Sequence, residues 1–206
     1  MYKLVSALLL LTFTCQQVFG HYHLTYPPSR GFDETNEVVA PCGGFNTPQS
    51  NRTSFPLKNG FLQIDSEHTK YNYKIYLIVK PSPAQSDFNG DANTLVAESS
   101  VNYPMQSCLP VDVSKVSGAI DGASATFQIS YNAGDGILYQ CTDVILQNQP
   151  TNFNTSACIN ADGSKPSLGG NGNNNGTSSN SPSAANSLQF GMISTILVLI
   201  TSMIIM

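Results

Sequence analysis

The chain has 206 residues, of which 41% are hydrophobic and only 11% charged, and its formal net charge is −4. That length fits one domain of ordinary size with room for a core. With 9 Lys and Arg against 13 Asp and Glu there is no basic stripe, which excludes nucleic acid as an expected partner.

Residues 1–20 open with Lys3, run through an apolar stretch from Leu4 to Leu11 with Phe13, and close on Val18 and Gly20. A basic start, an apolar middle and a small-residue exit are the layout of a secretory signal peptide. Cleavage after Gly20 makes His21 the first residue, with a free α-amine. The amine and the ring Nδ1 of one histidine can close a six-membered chelate on a metal. The amine's reference pKa of about 7.7–8.0 lets a metal displace its proton near neutrality. Nitrogen ligands in a plane suit Cu(II), which also heads the divalent affinity order. The plain alternative is a cleavage point that falls on a histidine by chance, or elsewhere.

Residues 27–60 are rich in Pro, Gly, Asn and Ser and read as a long ordered loop. A short strand is expected through Phe61–Ile64. His68 follows in the polar corner Asp65-Ser66-Glu67-His68-Thr69-Lys70, where a histidine is ordinarily solvated but can complete a copper site beside an N-terminal one. Tyr71–Val79 is the clearest strand, with Tyr71, Tyr73, Ile75, Leu77 and Val79 on one face, and Pro81 and Pro83 end it. Ser86–Asp91 is a second loop, and Thr94–Ala97 is ambiguous. Ala125–Tyr131 and Ile137–Leu146 flank the turn Asn132-Ala133-Gly134-Asp135-Gly136, a hairpin pattern. Alternation in the second arm puts Ile137, Tyr139, Cys141, Asp143 and Ile145 together. Asp143 on an apolar face needs a counter-charge, a hydrogen-bond network or a metal, unless a bulge near Thr142 turns it to water. Short strands at this spacing with disulfides indicate an all-β fold, an antiparallel β-sandwich of immunoglobulin-like type with long loops.

From Ala161 to Gln189 the chain turns to Gly, Asn and Ser, which cannot bury a core and read as a stalk. Phe190–Met206 is apolar and uncharged, and with its polar spacer it matches a glycosylphosphatidylinositol (GPI) attachment signal, placing the anchor near Asn175. A single-pass helix is the rival reading. The expected organisation is a signal peptide at 1–20, the domain at 21–160, a stalk at 161–178 and a removed propeptide at 179–206. Once Cys15 leaves with the signal, Cys42, Cys108, Cys141 and Cys158 form an even set, read as two disulfides. Three connectivities are open, with Cys108–Cys141 plus Cys42–Cys158 favoured. Sequons begin at Asn51, Asn154 and Asn175, as in a secreted glycoprotein.

The segment His21-Tyr22-His23-Leu24-Thr25-Tyr26-Pro27-Pro28-Ser29-Arg30-Gly31, with Pro41-Cys42-Gly43-Gly44 and Cys141-Thr142-Asp143-Val144, resembles a fungal family of copper-binding cell-surface proteins. These are the copper acquisition factors with a BIM-like domain, which themselves resemble lytic polysaccharide monooxygenases (LPMOs). With the two end signals the resemblance covers the whole chain. It implies an LPMO-like sandwich and one Cu(II) per chain, bound by His21, His68 and Asp143. His23 is outside that ligand set and is a candidate auxiliary ligand; Arg30 is a candidate to orient a nearby acid. The implied function is capture or buffering of copper at the outer leaflet of the plasma membrane or in the wall, with the copper ion and a copper transporter as partners. An LPMO acting on wall glycans and a structural wall glycoprotein are the alternatives. The absence of Trp removes the strongest stacking residue for a glycan surface and disfavours the enzyme.

Overall fold

The computed structural model describes residues 20–168. The leading segment, Asn175 and the apolar tail lie outside these residues, as does most of the expected stalk. Eight strands follow in chain order: β1 Tyr22–Tyr26, β2 Thr53–Pro56, β3 Gly60–Ser66, β4 Tyr71–Ile78, β5 Thr94–Val101, β6 Met105–Val111, β7 Ser124–Asn132 and β8 Ile137–Gln147. Among the described residues the only helical elements are 3-10 turns at Gln85–Phe88 and Thr155–Ala157.

The strands form a sandwich of two sheets, ordered β1-β3-β6 and β2-β8-β7-β4-β5. Every pairing is antiparallel except that of β2 with β8, which is parallel. The expected hairpin is β7–β8, closing at Asn132↔Ile137. In β4 the alternation holds: Tyr71, Tyr73, Ile75 and Leu77 are buried, and Asn72 and Lys74 are exposed. Together with Tyr22, Leu62, Ile64, Phe127, Ile129, Tyr131, Val144 and Leu146 they fill the space between the sheets.

Three expectations need correction. The stretch 27–60 is not loop throughout, because Thr53–Pro56 adds β2 to the edge of the larger sheet; β1, β5 and β6 also form where no full strand was expected. In β8 the residues facing the core are Leu138, Val144 and Leu146, so Cys141 and Asp143 lie on the opposite, outer face. The favoured disulfide pairing is also wrong: the bonds are Cys42–Cys141, Cα–Cα 5.1 Å, and Cys108–Cys158, Cα–Cα 4.9 Å. Cys108 sits on β6 of the smaller sheet. Joining it to Cys141 would mean crossing a sandwich whose sheets stand ~10 Å apart, beyond disulfide reach. Cys158 instead straps the C-terminal segment to β6, and the strap continues to Ala161, whose N–H donates to Gln106 O at 2.8 Å.

Asp143 is buried because the loop after β1 folds over the outer face of β8. Arg30 reaches it with two hydrogen bonds, Nε to Oδ2 and Nη2 to Oδ1, both 2.8 Å. Thr126 Oγ1 donates to Oδ1 at 2.6 Å and Gln49 N to Oδ2 at 2.8 Å. Burial alone would raise the carboxyl's pKa; the bonds from Arg30, Thr126 and Gln49, with the Arg30 charge, outweigh it and hold the group below its ordinary value. Arg30 Nη1 also donates to Asn46 O at 3.0 Å, and Cys42 anchors the same loop through its disulfide. The ion pair and the disulfide therefore act as two rivets on one loop.

Peptide mapping without reduction should recover Cys42–Cys141 and Cys108–Cys158; a Cys108–Cys141 peptide would refute this topology. Asp143→Asn should leave Arg30 buried without its counter-charge and cost about 3–5 kcal/mol in urea unfolding. Since the folded pKa is depressed, the pair's contribution is present above the ordinary Asp value of about 3.9 and is lost as pH falls through the folded value beneath it. The variant should accordingly lose less stability than the wild type across that acid window.

Candidate metal centre

The position of His21 is set by its neighbour. Tyr22 is fully buried, stacks on Tyr131 with centroids 4.5 Å apart, and donates its hydroxyl to Ile129 O at 3.3 Å. Gln140 clamps the same strand: its Nε2 donates to Tyr22 O at 2.5 Å and its Oε1 accepts from Leu24 N at 3.0 Å. The backbone of His21 is thereby laid along the end of β3, where Glu67 N donates to His21 O at 3.4 Å. The His21 ring is partly exposed. Its Nδ1 lies 2.9 Å from Glu37 Oε2 and its Nε2 3.8 Å from Glu34 Oε2.

Glu37 comes from the riveted loop and is buried, with Oε1 accepting from Gln140 Nε2 at 2.7 Å. Burial pushes its carboxyl pKa up, and the hydrogen bonds from Gln140 and His21 offset part of that rise. The loop thus delivers an acid to the ring nitrogen that an N-terminal chelate would use.

His68 occupies the corner between β3 and β4, its N–H donating to Ser66 Oγ at 3.2 Å. Its Nε2 lies 3.1 Å from Asp135 Oδ2, yet the approach lacks hydrogen-bond geometry, and the nitrogen is buried without a hydrogen-bond partner. Gly20 packs against it: a Cβ added at Gly20 would fall 2.1 Å from His68 Nε2. Asp135 stands at the tip of the β7–β8 hairpin, whose loop uses Gly134 at φ 106° and Gly136 at φ 142°, backbone that a side chain would strain.

The structure therefore brings together the Gly20–His21 junction, His68 and Asp135. It does not bring Asp143 to them. Thr126↔Asp143 lies six residue pairs along the hairpin from Asn132↔Ile137, ~20 Å from the Asp135 end at strand rise, and both Asp143 oxygens are taken by Arg30. Arg30 does orient an acid, as expected, but that acid is the structural one. His23 is exposed on β1, its ring tilted at 46° against that of Phe32 with centroids 4.0 Å apart, and it pairs with Asp65 of β3. Among the described residues no three His, Cys, Asp or Glu side chains converge on one point. Nitrogen from an amine and an imidazole with oxygen from a carboxylate is nevertheless a donor set that fits Cu(II), and the orphaned His68 Nε2 is the atom such a set lacks a partner for.

Sequence reasoning missed Asp135 and Glu37. Asp135 read as a turn former between two glycines, and Glu37 sits in a stretch without periodicity. Of the sequon residues, Asn51 and Asn154 are exposed, as glycan acceptors must be.

The chain is 34% identical over 149 residues to copper acquisition factor BIM1 of Cryptococcus neoformans var. grubii, covering 69% of this chain and 67% of that protein. It is 29% identical over 179 residues to the lytic polysaccharide monooxygenase-like protein X325 of Yarrowia lipolytica, covering 82% of this chain and 64% of that one. The chain thus spans about two-thirds of the length of the relatives it matches. Among solved structures, a Bacillus amyloliquefaciens CBM33 in complex with Cu(I) after photoreduction aligns with TM-score 0.32 and 14% identity, covering 50% of this chain and 62% of that one. The family described as copper acquisition factor BIM1-like matches residues 19–163, and the chain belongs to it.

Proposed function

We propose that the mature protein begins at His21 and captures Cu(II) at the cell surface through the His21 amine and Nδ1, His68 Nε2 and the Asp135 carboxylate. The observation that carries this reading is the buried His68 Nε2 without a hydrogen-bond partner, packed against the last residue of the expected signal peptide and 3.1 Å from Asp135 Oδ2. Removing Gly20 would uncover that nitrogen and create an amine beside it. Glu37 would have to yield Nδ1 to the metal, and its bond to Gln140 would keep it close to the ring as an acceptor. Family membership supports copper as the cargo.

The rest of the reading follows from the ends of the sequence. The signal peptide directs secretion and the apolar tail directs GPI attachment near Asn175, which keeps captured copper beside the membrane, where a copper transporter could receive it. Capture is favoured over polysaccharide oxidation by coordination chemistry. A hard anionic oxygen from Asp135 stabilises the oxidised metal and takes a position that oxygen chemistry would need open.

Protein starting at His21 should bind Cu(II), and protein retaining Gly20 should bind at least about 100-fold more weakly, as should His68→Ala, since even outer-shell changes cost roughly 10–100-fold. Asp135→Asn should change the copper electron paramagnetic resonance spectrum while Asp143→Asn should not; the reverse result would return Asp143 to the site. Affinity should fall from neutral to mildly acidic pH, because protons compete for the amine and the imidazoles. With reductant and oxygen or peroxide, the copper-loaded protein should release no oxidised oligosaccharides from cellulose, chitin, xylan or β-glucan. Release that His21→Ala abolishes would establish the enzyme instead.

A further inference from the structure

The outer face of the larger sheet is divided in two. One half is closed by the loop carrying Arg30 and Cys42 and by the segment around Phe88, whose side chains form a second small core with Ile78 and Cys141. The other half stays open between Pro41 on one side and the Gln85–Asn93 segment on the other, as a groove of ≈ 910 Å³. That volume falls in the range of small-ligand clefts.

The floor of the groove has a definite chemistry. Ser130 and Gln128 of β7 run along its middle, with Lys74 and Tyr76 of β4 opposite them on one side and Tyr139 of β8 opposite Ser130 on the other. Neither tyrosine hydroxyl is engaged by another described residue, and both rings are partly exposed. From the register, Tyr76 and Tyr139 lie two strands and two residues apart, ~12 Å at ordinary sheet spacing. Gln128 is 95% buried (5% exposed). Its Nε2 donates to Pro41 O at 2.9 Å, which fixes the amide plane and leaves Oε1 without a partner among the described side-chain hydrogen bonds. The charges cancel: Lys74 Nζ and Glu98 Oε2 pair at 3.5 Å, and the remaining polar lining is amide, hydroxyl and phenol, beside apolar Pro41, Phe88 and Ile137.

A groove with no net charge, two spaced aromatic faces and a fixed amide suits a ligand that has apolar faces and a hydroxyl rim. We propose that this groove binds a short neutral oligosaccharide, with Tyr76 and Tyr139 as stacking platforms and Gln128 as the hydroxyl acceptor. The site is built from sheet side chains, and its occupancy does not require copper. Bound there, wall glycan would hold the domain against the polymer.

Metal-free, isotope-labelled protein titrated with β-glucan, chitin and mannan oligosaccharides should show saturable amide shifts, for at least one of them, confined to the outer-face residues of β4, β7 and β8. Tyr76→Ala and Tyr139→Ala should each weaken binding about tenfold, the scale of one lost aromatic platform, with unchanged copper affinity and thermal midpoint. The proposal is overturned by no shift with any of the sugars, by shifts centred on His21 and His68, or by binding that both tyrosine variants retain. It is also overturned if a neutral extended peptide moves the same amides while no sugar does.

Discussion

The stack of Tyr22 on Tyr131 is the contact on which the candidate metal centre depends. A chain end is ordinarily the least ordered part of a domain, and a ligand set that includes the α-amine of residue 21 needs that end held to a fraction of an ångström. Burying the whole Tyr22 ring between the sheets, with Gln140 bonded to Tyr22 O and Leu24 N just after it, supplies that order one residue away from the ligand. The same ring stack aligns the opposite wall: Tyr131 bonds Ser66, Ser66 accepts from the His68 amide, and Tyr131 leads directly into the hairpin that carries Asp135. One aromatic pair thus sets all three candidate ligands.

The second constraint is the long loop after β1. A segment with so many Pro, Gly and Asn residues has little reason to adopt one conformation by propensity. Here a buried guanidinium–carboxylate pair and a disulfide fix it to the outer face of β8. A buried ion pair is weak evidence of net stabilisation, since both charges are desolvated; its effect is better described as positional. It closes one half of the sheet face, leaves the other open as a groove, and carries Glu37 across to His21.

The sequence was legible where periodicity carries the information. The strand from Tyr71 and the β7–β8 hairpin were readable because alternating apolar residues and a glycine-bearing turn are local signals. The chemistry of His21 was readable from a processing pattern and one residue type. Legibility failed where a residue's meaning depends on a distant segment. Alternation marks Asp143 as an acid on an apolar face and the resemblance puts it in the ligand set, but β8 is buried on both faces in its middle, and alternation cannot tell the core from a loop-covered back. Asp135 was passed over because a residue between glycines has an adequate local explanation. The disulfide pairing failed for the same reason: Cys141 points away from Cys108, and only the sheet assignment reveals it. Strands β5 and β6 carry Ser, Glu and Pro among their apolar residues, and their pairing with β4 and β3 overrides weak propensity.

The exchange of Asp143 for Asp135 also bears on what kind of site this can be. An ion that is to be taken up and handed on must reach its ligands and leave them. Asp143 is wholly buried and saturated by Arg30, Thr126 and Gln49, so recruiting it would break an internal ion pair at every exchange. The side chains of His21, His68 and Asp135 are 20%, 26% and 29% exposed respectively. They lie at strand ends and a hairpin tip, where small movements are cheap and no core contact has to open. The acid that positions the loop and the acid proposed for exchange thus lie on the same strand pair, separated by the length of the hairpin, so that one can vary without disturbing the other.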